Sequence, residues 1–499
     1  MDIVLKKLVL ASFALCMFNT QAQLNKEIDK IADYAVNTYQ NAQVHTLTNL
    51  VAFPTVNTDS IPTPLNPDFI AFKSLLKIKA AELGFDYQDL GHTVLIGMGE
   101  QSEKVTVVTH GDVQPANASK WKQSPFIIDT SEPGKLVGRG TEDDKGAIAT
   151  ALYAMKAIKD KGIELDNRIE LMIYLAEESD WGPLTEFMKT YEQPKYAVTI
   201  DASYPVVVAE KGWSLISPTF NAISDQKAVY VSDLAGGAFK SQIPEDASLV
   251  LHNANDALVN QLKTKAKQLN QVEFNFTEQN NAMIISVKGM SAHSSEPESG
   301  VNAIAHLAEL FNGIALENNS DGQLIKFVNQ LIGLDLHGKQ FGDIAYKHDF
   351  MGPMTVSPTV IERSGNKLTL AINARRPVGK NEDVLRQQIE TAVNQWQANN
   401  NVTLESIGTV IGNPMLLDNA PHAQKLLDIF KHFTGDEQAD FVSIGGGTNA
   451  KLFDNAVSFG PSMPGKRYTG HSEHEFITLE QLELNLRMYT AMMIELGNM

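Results

Sequence analysis

The feature that most constrains this chain is a junction that recurs along it: short strand-like runs end at side chains able to bind metals. Residues 105–109 read as a buried strand and run straight into His110-Gly111-Asp112. Residues 169–175 do the same before Glu177-Glu178, and residues 197–200 before Asp201. Asp143-Asp144-Lys145-Gly146 stands just ahead of an Ala-rich helix predicted over 147–161, and His471 falls in a loop near the C-terminus. Further helices are predicted over 25–50, over 69–83 with Gly84 as the stop, over 421–433 and over 478–496. Strands alternating with helices predict an α/β fold, an α/β/α domain built on a mixed, mostly parallel sheet with covering helices. In such sheets ligands collect beyond the carboxyl ends of the strands. Groups far apart in sequence are therefore expected to converge on one place.

A chain of 499 residues is long for a single core and predicts two domains. The pattern changes near Lys211. Separate strands (282–287 and 367–373) and two helices (255–270 and 302–313) then read as an inserted α+β domain. The expected division is a leader over 1–22, a catalytic domain over 23–211 and 406–499, and the insert over 212–405. The leader has Lys6 and Lys7, then an apolar stretch over 8–18 too short to span a bilayer, then Thr20-Gln21-Ala22. Cleavage after Ala22 is expected, with export to a periplasm or to the medium. The one cysteine, Cys16, lies inside this leader, so the mature chain would have no disulfide, no cysteine ligand and no cysteine nucleophile. No later run is long and apolar enough for a membrane span. A net charge of −18 argues against nucleic acid or an anionic membrane as the main partner.

A set of His, Asp and Glu without Cys suits zinc and also accommodates cobalt or manganese. Two adjacent ions need a carboxylate to bridge them and few enough other ligands to leave room for a water, which such a pair ionises for attack on a carbonyl. Each motif alone is weak. A single acid at a strand end is commonly a helix cap, paired glutamates are commonly solvated charge, and Gly445-Gly446-Gly447 alone reads as a turn. Their joint occurrence, in order along the chain, carries the reading.

Together these motifs, from His110 to Glu475, resemble the zinc metallopeptidase family of dipeptidases, carnosinases, glutamate carboxypeptidases, aminoacylases and succinyl-diaminopimelate desuccinylases. The resemblance implies that His110 and Asp201 bind one metal, that Glu178 and His471 bind the other, and that Asp143 bridges them. It makes Asp112 the residue that orients His110, and Glu177 the general base that takes a proton from the attacking water and returns it to the leaving amine. Gly289-Met290-Ser291-Ala292-His293 resembles a family segment whose histidine, here His293, stabilises the oxyanion. Asn373-Ala374-Arg375-Arg376-Pro377 resembles a strand that places Arg375 on the substrate carboxylate, and Gly445, Gly446, Gly447 and Thr448 resemble a loop whose backbone amides cradle the same group. His474 stands three residues beyond His471; His471 is preferred as ligand because Glu475 then falls at the family's four-residue offset.

The resemblance implies a metal-dependent hydrolase with two zinc ions per chain and a small peptide as substrate. Asp rather than Glu at position 201 favours a dipeptidase within the family. The insert resembles that of monomeric bacterial dipeptidases, where it doubles as a lid and mimics a dimer partner, so the chain is expected to be a monomer or a homodimer. An N-acyl-amino-acid deacylase with the same site is one alternative. A non-catalytic exported peptide-binding protein is another, against which the presence of Glu177 argues, since binding needs no proton shuttle.

Overall fold

The computed structural model describes residues 26–58, 60–417 and 419–499, so the expected leader lies outside the described residues. No described helix is long and apolar enough to cross a membrane. The chain forms two compact units: one runs to Val206 and resumes at Asn419–Phe441 and Leu452–Met499, and the other comprises Val207–Asp418 and Val442–Lys451.

The first unit opens with helices α1 (Lys26–Val51) and α2 (Pro67–Leu83), the latter closed by Gly84 in the left-handed region. Strands β1 (Asp86–Asp89), β2 (Thr93–Met98) and β3 (Lys104–His110) follow, then helix α3 (Lys145–Asp160) and strands β4 (Arg168–Tyr174) and β5 (Tyr196–Thr199). Within this unit the sheet order is β1-β2-β4-β3-β5, continued by a late strand, Ala456–Ser458. The β1, β2 and β4 pairings are antiparallel, whereas β3 pairs in parallel with both β4 and β5, and Ala456–Ser458 in parallel with β5. The parallel strands are the predicted apolar runs, buried along nearly their whole length, as expected of strands covered on both faces.

Register sets the ends of these strands level. His110 stands opposite Tyr174, and Val108 opposite Thr199. Two residues beyond Thr199 comes Asp201, at the level of His110, and the turn after Tyr174 brings in Glu177 and Glu178. Helices α1, α3 and the last helix, Leu479–Gly497, pack together. The many alanines of α3 allow the close approach, and Gln43 of α1 ties all three by donating to Thr150 Oγ1 at 2.7 Å and to the Leu482 carbonyl at 3.2 Å.

The second unit holds two antiparallel four-stranded sheets. One runs β11 (Thr355–Ser364), β12 (Lys367–Arg376), β6 (Gly212–Phe220), β13 (Ser406–Ile411); the other runs β7 (Tyr230–Gly236), β8 (Asp246–His252), β10 (Ala282–Lys288), β9 (Glu273–Gln279). Its core includes an aromatic cluster of Phe220, Phe327, Phe341 and Trp396. The sequence reading groups all of 406–499 with the catalytic part, but Val442–Lys451 packs with the second unit. A buried carboxylate, Glu210, accepts from the Thr448 amide at 2.9 Å and from its hydroxyl at 2.7 Å, and so holds the stretch there.

His422 gives a stability expectation. Its ring is fully buried with Nε2 on the Ala197 carbonyl at 3.0 Å, and burial pulls its pKa down to about 4. In the unfolded chain the ring titrates near its ordinary value of about 6.5. The unfolded state therefore takes up the proton first as pH falls, so stability present above about pH 6.5 is lost towards pH 4. This one residue should cost about 2 kcal/mol by pH 5. Urea unfolding at pH 7.5 and pH 5 should show His422→Gln losing less stability than the parent chain by that amount; equal losses would remove the effect.

Candidate metal centre

The level strand ends, the turn before α3 and the loop at His471 bring two groups of side chains together. His110, Asp143 and Asp201 form one, and Asp143, Glu178 and His471 form the other, each offering ligand atoms within 4.8 Å of one another. Asp143 belongs to both. Its Oδ1 lies 2.9 Å from His110 Nε2, and its Oδ2 lies 3.2 Å from His471 Nε2. Asp201 Oδ1 is 3.6 Å from His110 Nε2, and Glu178 Oε1 is 2.9 Å from His471 Nε2. His471 adopts φ 62°, a left-handed conformation uncommon outside glycine and one that clusters at functional sites. His474 is exposed and outside both groups.

The tautomer of His110 follows from its partner. Nδ1 lies 3.0 Å from the Asp112 carbonyl oxygen, which only accepts, so Nδ1 carries the proton and a neutral ring keeps its lone pair on Nε2, facing Asp143 and Asp201. The Asp112 carboxylate lies 3.6 Å from Nδ1 and has other work: it accepts from the amides of Glu177 at 3.0 Å and Glu178 at 3.1 Å, and from Asn57 Nδ2 at 3.0 Å. Gly111 sits between them because a Cβ there would lie 2.6 Å from the Phe72 ring. Asp144 takes the N-cap position of α3 without capping it; its buried carboxylate accepts from Thr109 Oγ1 instead.

The electrostatics are those of acids crowded around two imidazoles. Burial alone would lower His110, but the Asp201 charge and hydrogen bonds to Asp112, Asp143 and Asp201 carry its pKa well above the usual value. Burial likewise opposes a charge on His471, and the Glu178 charge with hydrogen bonds to Asp143 and Glu178 raises it to about 10. Burial works against the Asp143 charge, yet hydrogen bonds from both imidazoles hold it well below the carboxylate range. Burial lifts Asp201 to about 6 despite His110, and burial with the Asp201 charge pushes Glu177 well above its usual value. Carboxylates at this density hold imidazoles in their charged form because they attract cations. A divalent ion would answer that charge, and the donors of each group, one imidazole and two carboxylates, suit zinc and its neighbours.

The remaining sequence-predicted residues lie in the second unit and meet around one short segment. Half-buried His293 has Nδ1 2.5 Å from Ser295 Oγ. Buried Arg375 donates from Nε to Asn373 Oδ1 at 3.1 Å and from Nη2 to Ser294 Oγ at 3.4 Å. The Gly-rich loop reaches the same segment: a Cβ on Gly445 would lie 2.3 Å from the Ser295 carbonyl oxygen, so only glycine fits. Both Thr448 donors are taken by Glu210.

Residues 106–495 match the sequence profile of peptidase family M20/M25/M40. The chain belongs to this family. The chain is a metal-dependent peptidase of this family, in keeping with the two donor groups that meet at Asp143. The chain is 29% identical over 430 residues to "Putative dipeptidase YtjP" of Bacillus subtilis, covering 85% of this chain and 89% of that one. It is 26% identical over 416 residues to the Beta-Ala-Xaa dipeptidase of Lactobacillus delbrueckii subsp. lactis, covering 83% and 86%. Its fold is similar to that of human carnosine dipeptidase 1, with TM-score 0.60, 16% identity and coverage of 94% and 98%.

This M20/M25/M40 centre also uses residues that sequence reasoning did not select. Gln114 Nε2 donates to Glu178 Oε2 at 2.8 Å, and the Tyr468 hydroxyl donates to Asp143 Oδ2. Asn57 joins Asp112 to the Leu175 carbonyl, donating to the latter at 3.0 Å. Their only sequence signal is position, Gln114 two residues after Asp112 and Tyr468 three before His471; Asn57, in the Pro-rich stretch, has none.

Proposed function

We propose that this chain is an exported dipeptidase that cleaves its substrate at a pair of zinc ions. The observation that carries the reading is the split of the Asp143 carboxylate, one oxygen towards His110 and the other towards His471. His110 and Asp201 would hold one ion and Glu178 and His471 the other, with Asp143 shared between them. A dipeptide as substrate is supported by the names of the two relatives above and by Asp at position 201. Export rests on the leader-like residues 1–22.

Bound zinc would supply Lewis acidity, polarising the scissile carbonyl and lowering the pKa of the attacking water. Glu177 takes the proton from that water and passes it to the departing amine. It neighbours Glu178 yet belongs to neither donor group, so its carboxylate is kept for proton transfer. Asp112 fixes the turn that carries both glutamates through their two amides. His293 stabilises the oxyanion. Arg375 and the amides of Gly445, Gly446 and Gly447 take the C-terminal carboxylate of the substrate, and residues 212–405 serve as the lid.

The test is a substrate panel with a metal count. Unmodified dipeptides should be hydrolysed in preference to N-acetyl and N-succinyl amino acids, by a chain holding about two ions. Preference for the acylated compounds would favour a deacylase instead, and metal without turnover a binding protein. Arg375→Ala should raise KM for a dipeptide about 10- to 100-fold, the value of a charge-assisted hydrogen bond, and leave KM for the matching C-terminal amide nearly unchanged. An equal rise for both substrates would remove Arg375 from carboxylate recognition.

A further inference from the structure

Asp143 and His471 arrive from segments more than three hundred residues apart, and the contacts between those segments are reciprocal. Both leave a short antiparallel ribbon, Lys135–Val137 paired with Phe476–Thr478. Its register continues one step outward, where the Gly138 amide donates to the Glu475 carbonyl at 3.0 Å. Beyond it, each segment presents one carboxylate to the backbone amides of the other.

Glu475, fully buried, accepts from the amides of Gly140 at 2.9 Å, Glu142 at 2.9 Å and Asp143 at 3.0 Å. Arg139 Nη1 completes its shell at 2.8 Å. In return Glu142, the residue before Asp143, accepts on Oε2 from the Thr469 amide at 2.7 Å, from the Thr469 hydroxyl, and from the Gly470 amide at 3.1 Å. Gly470 is the residue before His471. The residues preceding both candidate ligands are thus gripped by a carboxylate from the opposite segment. Each of these carboxyl–amide contacts is largely shielded from water, where a hydrogen bond is stronger than in solvent.

We infer that Glu142 and Glu475 form a reciprocal interlock that positions Asp143 and His471 as a ready-made pair before a metal arrives. They are positioning residues: they hold backbone and touch neither substrate nor ion. An ion that meets a pre-set pair avoids the ordering cost of fixing two loops at once, so the interlock raises affinity at the Glu178–His471 site in particular. The Asp201 side of the centre shares Asp143 but takes its other two donors from the ends of β3 and β5, so it depends on the interlock less. The inference rests on the two-metal reading above.

Hydrogen exchange of the metal-free protein reads the interlock directly. Glu475→Gln should speed exchange at the amides of Gly140, Glu142 and Asp143, and Glu142→Ala at Thr469 and Gly470, with β3 and β5 unchanged. Zinc or cobalt titration against a competing chelator should show one of the two ions bound about 10- to 100-fold more weakly in Glu142→Ala, less so in Glu142→Gln, and the other within about threefold of the parent. The weakened ion should be the one lost in His471→Ala. Parent-like affinities for both ions together with parent-like exchange at Thr469 and Gly470 overturn the interlock; so does an equal loss at both ions, which a general structural role would give. Should Glu475→Gln fail to fold, the variants of Glu142, which is less completely buried than Glu475, still decide. The metal count of the parent chain tests the two-metal reading separately, since one ion in the parent refutes that reading whatever the variants do.

Discussion

Glu177→Gln is expected to lower kcat for dipeptide hydrolysis roughly 10²- to 10⁴-fold while leaving the metal content of the chain unchanged. Glutamine keeps the length and volume of glutamate but cannot take a proton. The Glu177 amide, which the Asp112 carboxylate holds at 3.0 Å, is untouched by the change, so the turn that carries Glu178 should keep its place. Neither donor group includes Glu177, and no ligand is removed. Steady-state kinetics on a dipeptide, paired with elemental analysis of the dialysed protein, checks both halves of the expectation. A variant with kcat within about threefold of the parent takes the proton-transfer role from Glu177. A variant that loses metal makes Glu177 a ligand instead.

Asp143→Ala should have the broadest effect of any single ligand change, because its carboxylate is common to both groups. Affinity for both ions should fall by more than the roughly 100-fold that loss of an outer partner brings, and hydrolysis should fall with it. The main chain at this position is held independently of the side chain, by Glu475 on the Asp143 amide at 3.0 Å, so the loss should be one of coordination and not of folding. His110→Ala is the control, since that imidazole belongs to one group alone. Chelator competition should show both ions weakened in Asp143→Ala and chiefly one in His110→Ala. Retention of two ions at parent affinity in Asp143→Ala would end the bridging role and, with it, the two-metal reading.

Much of the first unit was legible because its signals are local. The strand-like runs before His110, Glu177 and Asp201 form β3, β4 and β5, and periodicity locates α1, α2, α3 and the last helix to within a few residues. Helix ends moved where a cap acts: Asn255 and Asn302 each accept an amide hydrogen bond at the start of their helices, which trims the predicted ranges. The grouping of His110, Asp143, Glu178, Asp201 and His471 followed from resemblance and from the rule for strand ends, not from spacing. What could not be read was the second layer of contacts. Glu142 and Glu475 meet each other's segments across more than three hundred residues, and no window of sequence holds both sides of such a contact. The same holds for Glu210 and Thr448, whose hydrogen bonds decide that Val442–Lys451 packs with the second unit.

The placing of the donors along the chain bears on how such a centre is filled during synthesis. His110, Asp143 and Asp201 leave the ribosome within the first half of translation, and Glu178 with them, whereas His471 emerges only in the final stretch. A nascent chain therefore has one donor set complete long before the other. If each set takes an ion, the second acquisition waits for the carboxyl-terminal tail.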